Sequence, residues 1–310
     1  MLVSREDIAA AHARIAPHIR RTPILEESAG LSLKLECLQH AGSFKTRGAF
    51  NNLLTRQAPA IGCATASGGN HGAAVAYAAG KLNIPAKVFV PRIAAPPKIA
   101  KIRAYGADAH IEGADYFEAQ ALCDAYVAET GALKIHPYDA RETVAGQGTV
   151  GLEWEEDLAR LGFLPLDVVL VAIGGGGLIS GVASWFAGRV RVIGVEPEGS
   201  RAMHAAFAAA HPVEVAVRSF AADSLGARSV GDLCFEICRD HVERVALVSD
   251  EAIEDAQRRL WRDFQIVAEP GGAAAFAALL SGAYVPAPHE RVGVLVCGAN
   301  TDLSAFAQKL

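Results

Sequence analysis

Six consecutive apolar residues, Val168 to Ile173, lie between Asp167 and a run of four glycines. A strand that is apolar at every position is buried on both faces, as central strands of parallel sheets are. Shorter apolar segments punctuate the rest of the chain at Ile61 to Ala66, Ala86 to Val90, Ala109 to Glu112, Leu133 to His136, Val190 to Val195, Glu243 to Val248 and Val292 to Val296. Leu31 to Glu36 alternates as a strand does, after an extended lead-in at Arg21-Thr22-Pro23. Elsewhere the apolar spacing changes to three and four. Ser4 and Asp7 read as a capping box that opens a helix through about Ile15. Phe50, Leu53 and Leu54 carry a helix after Lys45. Further helices are predicted over Ala73 to Leu82, Pro96 to Tyr105, Ala114 to Glu129 and Leu178 to Phe186, and after Ser249, Gly271 and Asp302. Another leads from Gly146-Gln147-Gly148-Thr149 to about Leu161.

Strand–helix alternation with short connections predicts an α/β fold of two open, twisted, mainly parallel sheets with helices on both faces. His136-Pro137-Tyr138-Asp139 breaks the alternation, and a second series begins at Asp167. The expected division is a large domain of residues 1–52 and 142–310, with a small domain of residues 53–141 inserted in it and the active site in the cleft between them.

Composition narrows the function classes. The 310 residues suffice for one large domain or two modest ones, and 51% are hydrophobic, so a large core is available. A net charge of −5 without a basic block weighs against nucleic acid and anionic membranes as partners. Glu6 and Asp7 interrupt the N-terminal segment, which is not a signal peptide, and no apolar run reaches the length of a membrane span. Cys37, Cys63, Cys123, Cys234, Cys238 and Cys297 are scattered, and no spacing reads as a zinc site. Cys234 and Cys238, one helical turn apart, read as small packing groups. Reduced thiols and a cytoplasmic location are expected.

Chemistry enters at Gly42-Ser43-Phe44-Lys45-Thr46-Arg47-Gly48-Ala49. A lysine at a helix N-terminus stands against the dipole, which favours anions there, and the same field favours the neutral amine that Schiff-base chemistry needs. A solvated surface lysine is the competing reading. Gly174, Gly175, Gly176 and Gly177, between an apolar strand and a helix, form an anion cradle in which backbone N–H groups converge on a phosphate. A dinucleotide site is the alternative: Gly174 and Gly176 match two glycines of its fingerprint and Glu196 stands where a ribose-binding acid would, but the third glycine position holds Ile179. Ser67-Gly68-Gly69-Asn70-His71-Gly72 is again strand, loop and helix; its N–H groups suit a carboxylate, and Asn70 adds an amide donor. Helix capping is the plainer role for Asn70 and His71. Cys297-Gly298-Ala299-Asn300 follows the last strand. All these loops fall at carboxyl ends of strands, where open parallel sheets bind ligands. A reactive lysine, a phosphate cradle and a carboxylate loop together suggest pyridoxal phosphate and an amino acid.

From about Arg21 onward the chain resembles the fold-type II pyridoxal-phosphate enzymes (tryptophan synthase β-like), specifically the serine/threonine dehydratase and serine racemase group. The resemblance rests on six ordered motifs: Ser43-Phe44-Lys45-x-Arg47-Gly48-Ala49, Ser67-x-Gly69-Asn70-His71-Gly72, Gly146-Gln147-Gly148-Thr149, Gly174 to Gly177, Glu269-Pro270 and Cys297-Gly298-x-Asn300. It implies that Lys45 is the Schiff-base lysine and the general base, that Phe44 packs on the cofactor ring, and that Asn70 hydrogen-bonds the ring hydroxyl. Gly174 to Gly177, with Leu178, would hold the phosphate. Ser67, Gly68, Gly69, Asn70 and His71 would bind the substrate carboxylate. Cys297 would face the pyridine nitrogen as a neutral partner, which favours β-elimination, and Glu269 would line the same edge or support it. The implied function is an L-threonine/L-serine ammonia-lyase acting as a homodimer on a small amino acid. Dehydratases of 3-hydroxyaspartate, phenylserine or the hydroxyectoine pathway, and a serine racemase, are the alternatives within the family. A nicotinamide-dinucleotide dehydrogenase is the alternative outside it.

Two departures stand out. Racemases carry a second serine where this chain has Gly68, so one-sided chemistry is expected. A divalent cation is an optional partner, held by Glu196 if at all: the family's later acid is Ala202 here, and only Glu198 or Asp223 could replace it. The chain's end at Leu310 is expected to mean a catabolic or unregulated enzyme, without a C-terminal regulatory domain.

Overall fold

The computed structural model describes residues 2–27 and 30–308. Helix α1 (Arg5–Ile15) opens with the Ser4–Asp7 capping box, both of whose hydrogen bonds form. The hairpin β1 (Ile24–Glu27) and β2 (Leu31–Lys34) follows, then α2 (Lys45–Thr55). Next come β3 (Cys63–Ala66), α3 (Asn70–Lys81), β4 (Ala86–Val90), α4 (Pro96–Ala104), β5 (Asp108–Ile111), α5 (Tyr116–Thr130) and β6 (Leu133–Lys134). The second series runs α6 (Arg141–Leu161), β7 (Val168–Ala172), α7 (Gly177–Phe186), β8 (Arg191–Pro197), α8 (Ala202–Ala209), α9 (Ala222–Leu225) and α10 (Asp232–His241). It ends with β9 (Arg244–Val248), α11 (Asp250–Phe264), α12 (Pro270–Leu280), β10 (Val292–Leu295) and α13 (Leu303–Ala307).

The strands form two sheets, β1-β2-β10-β7-β8-β9 and β5-β4-β3-β6, parallel throughout except for the β1–β2 hairpin. Central strand β7 is buried at every position, as its unbroken apolar run requires. The chain leaves the six-stranded sheet after β2, builds the four-stranded sheet, and returns at β7. Helix α2 is shared between cores. Phe44 at its start packs in the main core, whereas Ala49, Phe50 and Leu53 pack with Ala74, Val75 and Ala78 of α3.

Strand order places the ligand loops. In the four-stranded sheet the chain moves outward from β3 through β4 to β5, then returns to lay β6 on the other side of β3. In the six-stranded sheet it moves from β7 through β8 to β9, then lays β10 on the other side of β7. Each reversal opens a crevice at the strands' carboxyl ends. The loops after β3 and β6 line one crevice, and those after β7 and β10 line the other.

Three expectations change. Ile24–Glu27, which follows the expected lead-in at Arg21-Thr22-Pro23 and for which no strand was expected, pairs as an edge strand. Helix α6 begins at Arg141 and holds Gly146-Gln147-Gly148-Thr149 within it rather than following it. Helices α8, α9 and α10 fill a stretch for which the pattern predicted none.

Candidate active site

The loops of the two crevices meet. Phe44 N–H donates to the Cys297 carbonyl at 3.2 Å, and Ser43 bridges Gly298, which ties the lysine segment to the loop after β10. Lys45 is the first residue of α2, and its Nζ donates to the Pro137 carbonyl at 2.6 Å, in the loop after β6. The Phe44 ring centroid lies 5.2 Å from the same nitrogen. Burial brings the Lys45 pKa down to about 8, against the opposing pull of Cys234, Cys297 and Glu269. The cause is therefore desolvation, in surroundings of thiols and a carboxyl, rather than the helix-terminal field expected.

Tyr138, next to Pro137, packs on the glycine loop: a Cβ built on Gly175 would stand 2.3 Å from its ring. Amine and glycine loop thus lie on either side of one dipeptide. Gly176 caps α7 with φ of +101°, a left-handed conformation that favours glycine. Among the described residues, nothing accepts from the N–H groups of Gly174, Gly175 and Gly176. Free donors at the N-terminus of a ten-residue helix, with Leu178 in its first turn, are the donor set a phosphate requires.

The β3 loop carries Ser67, Gly68, Gly69, Asn70 and His71 to the start of α3. The Ser67 hydroxyl accepts from Gly69 N–H at 3.1 Å. Neither Asn70 nor His71 caps the helix. The His71 ring turns inward, with Nε2 3.1 Å from the Ile135 carbonyl, and burial, reinforced by Lys45, drops its pKa to about 3. That leaves a neutral ring, and of His71 only the backbone faces the loop's crevice. Asn70 reaches across the cleft instead: its Nδ2 donates to Glu269 Oε1 at 2.5 Å, and its Oδ1 accepts from Asn300 Nδ2 at 2.7 Å. Glu269 holds the position just before α12 without a side-chain capping bond, and burial foremost raises its pKa to about 7. The Cys297 thiol donates to the Gly271 carbonyl at 3.3 Å; burial, then Glu269 and Cys37, push its pKa far up, so it stays neutral.

Glu196 lies outside this constellation. Its two carboxyl oxygens accept from Met203 N–H at 2.8 Å and His204 N–H at 2.9 Å, capping α8. An acid engaged in this way is not free for a ribose, which removes the dinucleotide reading's partner for the glycine loop. Asp223 is paired with Lys98. Among the described residues no group of three or more His, Cys, Asp or Glu side chains is placed to hold a metal ion.

Sequence reasoning missed Pro137 and Tyr138 as parts of the site; the break at His136–Asp139 was their only signal. It missed Lys101 entirely, a residue of α4 whose Nζ donates to Asn300 Oδ1 at 2.5 Å.

The family model described as pyridoxal-phosphate-dependent enzyme matches residues 15–298. The chain belongs to this family. A phenylserine dehydratase of Ralstonia pickettii is 39% identical over 98% of this chain and 95% of its own length. The solved structure of maize serine racemase superposes with a TM-score of 0.91 at 34% identity, covering 99% of this chain and 97% of that one. A solved T.th. threonine deaminase gives 0.90 at 38% identity, over 96% of this chain and 99% of that one. The free N–H groups of the glycine loop and the half-buried, easily neutralised Lys45 amine fit the phosphate and the aldehyde of the family's cofactor.

Proposed function

We propose that this protein is a pyridoxal-phosphate-dependent ammonia-lyase, a dehydratase that converts L-threonine or L-serine into a 2-oxo acid and ammonia. The observation that carries the reading is the Lys45 amine, half-buried where the loops of both sheets meet, with its pKa lowered by desolvation to about 8. Lys45 is assigned as the cofactor's covalent anchor, with Phe44 against the ring. Gly174 to Gly177 and Leu178 would hold the phosphate, Asn70 the ring hydroxyl and Cys297 the pyridine nitrogen, with Glu269 supporting that edge. When bound, pyridoxal phosphate supplies an electron sink for charge that develops at the amino acid's Cα. Within residues 67–71 the Ser67 N–H is held by the Phe89 carbonyl and the Gly69 N–H by the Ser67 hydroxyl, so the N–H groups of Gly68, Asn70 and His71 would orient the substrate carboxylate at the N-terminus of α3. With the substrate held on the cofactor, the Lys45 amine would be the general base for the Cα proton, and the ammonium so formed would return that proton to the departing β-hydroxyl, which leaves as water. A neutral Cys297 thiol beside the pyridine nitrogen would not favour its protonation, which would suit elimination.

A dehydratase of phenylserine is the second reading, favoured by the Ralstonia pickettii relative. The domain division at 1–52 and 142–310 against 53–141, a homodimer and a cytoplasmic location belong to the same proposal; the six free, buried cysteines support a reducing compartment. The test is an absorption spectrum near roughly 410–420 nm, where a lysine-bound cofactor absorbs, before and after L-threonine, with Lys45→Ala alongside. A band that shifts, yields 2-oxobutyrate and vanishes in the variant supports the reading. A band without turnover moves the substrate to phenylserine, and no band after adding pyridoxal phosphate overturns it.

A further inference from the structure

Four side chains form a continuous polar chain across the cleft. Lys101 Nζ donates to Asn300 Oδ1, Asn300 Nδ2 donates to Asn70 Oδ1 at 2.7 Å, and Asn70 Nδ2 donates to Glu269 Oε1 at 2.5 Å. Lys101 belongs to α4, beside the four-stranded sheet, whereas Asn300 follows β10 of the six-stranded one. An amide can face either way, and its neighbours decide which. An ammonium only donates, so the Asn300 atom facing Lys101 is the oxygen. The Ala41 carbonyl only accepts, so the Asn300 atom 2.8 Å from it is the nitrogen. That nitrogen in turn requires the oxygen of Asn70, and Asn70 must then present its NH2 group to Glu269. The two amide dipoles run head to tail from a cation to a carboxyl; the Lys101 ammonium and the Ala41 carbonyl set the sense, and an acceptor oxygen of Glu269 agrees with it. One of the two Asn70 N–H bonds goes to Glu269. The other remains for an acceptor at the cofactor edge.

Lys101 also donates to the Ala41 carbonyl, at 3.1 Å. Ala41 has φ of +58°, a left-handed conformation uncommon for a residue with a Cβ, in the turn that leads into Lys45. One ammonium therefore braces both approaches to the cofactor, the turn before the lysine and the amide of Asn70.

We propose that Lys101 is a positioning residue: acting through Asn300, it fixes Asn70 with its amide NH2 toward the ring oxygen of bound pyridoxal phosphate. The proposal rests on the assignment of Asn70 to that ring hydroxyl.

Cofactor affinity and the absorption maximum of the bound cofactor are the readouts, measured by titrating apoprotein with pyridoxal phosphate. Lys101→Met, which keeps the length and removes the charge, is expected to weaken binding about tenfold, the scale of one hydrogen bond to a charged group, and to move the maximum. Lys101→Arg is expected to keep the wild-type maximum, and it carries the comparison if the methionine variant fails to fold. In an Asn70→Ala background Lys101→Met should add nothing, since its route to the ring is gone. Unchanged affinity and maximum in Lys101→Met, or a full-sized effect in the Asn70→Ala background, overturns the proposal. Wild-type protein that binds no pyridoxal phosphate overturns the reading of the site instead.

Discussion

Arg47 grips Glu36 with a two-point fork, Nε to Oε2 at 2.8 Å and Nη2 to Oε1 at 2.7 Å, and neither side chain reaches solvent. Arg47 lies two residues from Lys45 on α2. The same Nη2 reaches Glu153 at 3.0 Å, which also accepts from Lys34 at 2.7 Å, and the Thr22 hydroxyl donates to Glu36 at 2.5 Å. Burial alone would raise the Glu153 pKa, but Arg47 and Lys34 overcome it and hold it at about 2. Two buried cations, Arg47 and Lys34, thus face Glu36, Glu153 and Asp157 in the interior and pin the start of α2. Removing one partner strands the other as a buried charge, so Arg47→Met or Glu36→Gln should each cost about 3–5 kcal/mol in chemical denaturation. The double variant, which strands less charge, should lose less than the sum. Additive losses would show that the pair is not coupled.

The lowered pKa of Lys45 predicts how the apoprotein takes up its cofactor. Only the neutral amine attacks the aldehyde, and burial brings the ammonium down to about 8 from an ordinary 10.5. The rate of reattachment, followed through the absorption band, should rise with pH and level off above about 8. A rate still climbing in proportion to hydroxide beyond pH 9 would mean an ordinary lysine. Lys45→Ala should fold and lose turnover by at least about 10³-fold, the scale expected on losing a nucleophile and general base together.

Both the lysine and the glycine loop were legible because their signals are local: a strand that stops, small residues, a helix that starts. Partners across the cleft carry no such signal. Lys101 and Asn300 are 199 residues apart and Asn70 and Asn300 are 230 apart, so only the meeting of the two crevices joins them. Gly146 and Gly148 read as a loop because glycine weakens a helix. Here they let α6 pack against its neighbours: a Cβ on Gly146 would stand 2.7 Å from the Gly48 Cα, and one on Gly148 would stand 2.8 Å from the Gly181 carbonyl. Helix α8 went unread because its alanines give no stripe; it buries Ala202, Met203 and Ala206, and Glu196 caps it from outside its own sequence. The lowered pKa of Lys45 was anticipated for the wrong reason, since helix position is visible in a sequence and burial is not.

Glu269 predicts how apoprotein stability changes with pH. Burial, its largest influence, raises its pKa from 4.5 to about 7. Between these values the folded protein keeps a proton that the unfolded chain has released, so stability falls as pH rises from about 4.5 to 7 and stays lowered above. Glu196, also raised to about 7 by burial, acts over the same window. Glu269→Gln and Glu196→Gln should each flatten the decline, by no more than about 3 kcal/mol apiece. Urea denaturation of apoprotein across pH 4.5 to 8 measures this. An unchanged slope in both variants would place the titration elsewhere.

Gly68, expected to distinguish this chain from racemases with a serine there, carries a steric cost for any side chain. A Cβ at position 68 would stand 2.6 Å from Ala94 Cβ and 3.3 Å from Val90 Cγ1, at the end of β4 and in the loop before α4. The Ala94 methyl is short and held by the backbone, so it cannot swing aside. Gly68→Ser alone must therefore push apart two loops of the cleft, and it should lower dehydratase turnover about tenfold, the cost of roughly 1–2 kcal/mol of overpacking, without producing D-serine. Pairing it with Ala94→Gly removes the opposing methyl. The double variant should recover most of the dehydratase activity, and it is where a hydroxyl on the far face of the substrate first becomes available to return a proton to Cα. Chiral separation of serine after incubation with each variant reads the outcome. D-serine from Gly68→Ser alone would show that the loops yield and that Ala94 is no barrier. No D-serine from a fully active double variant would show that a hydroxyl at position 68 does not suffice for racemisation here.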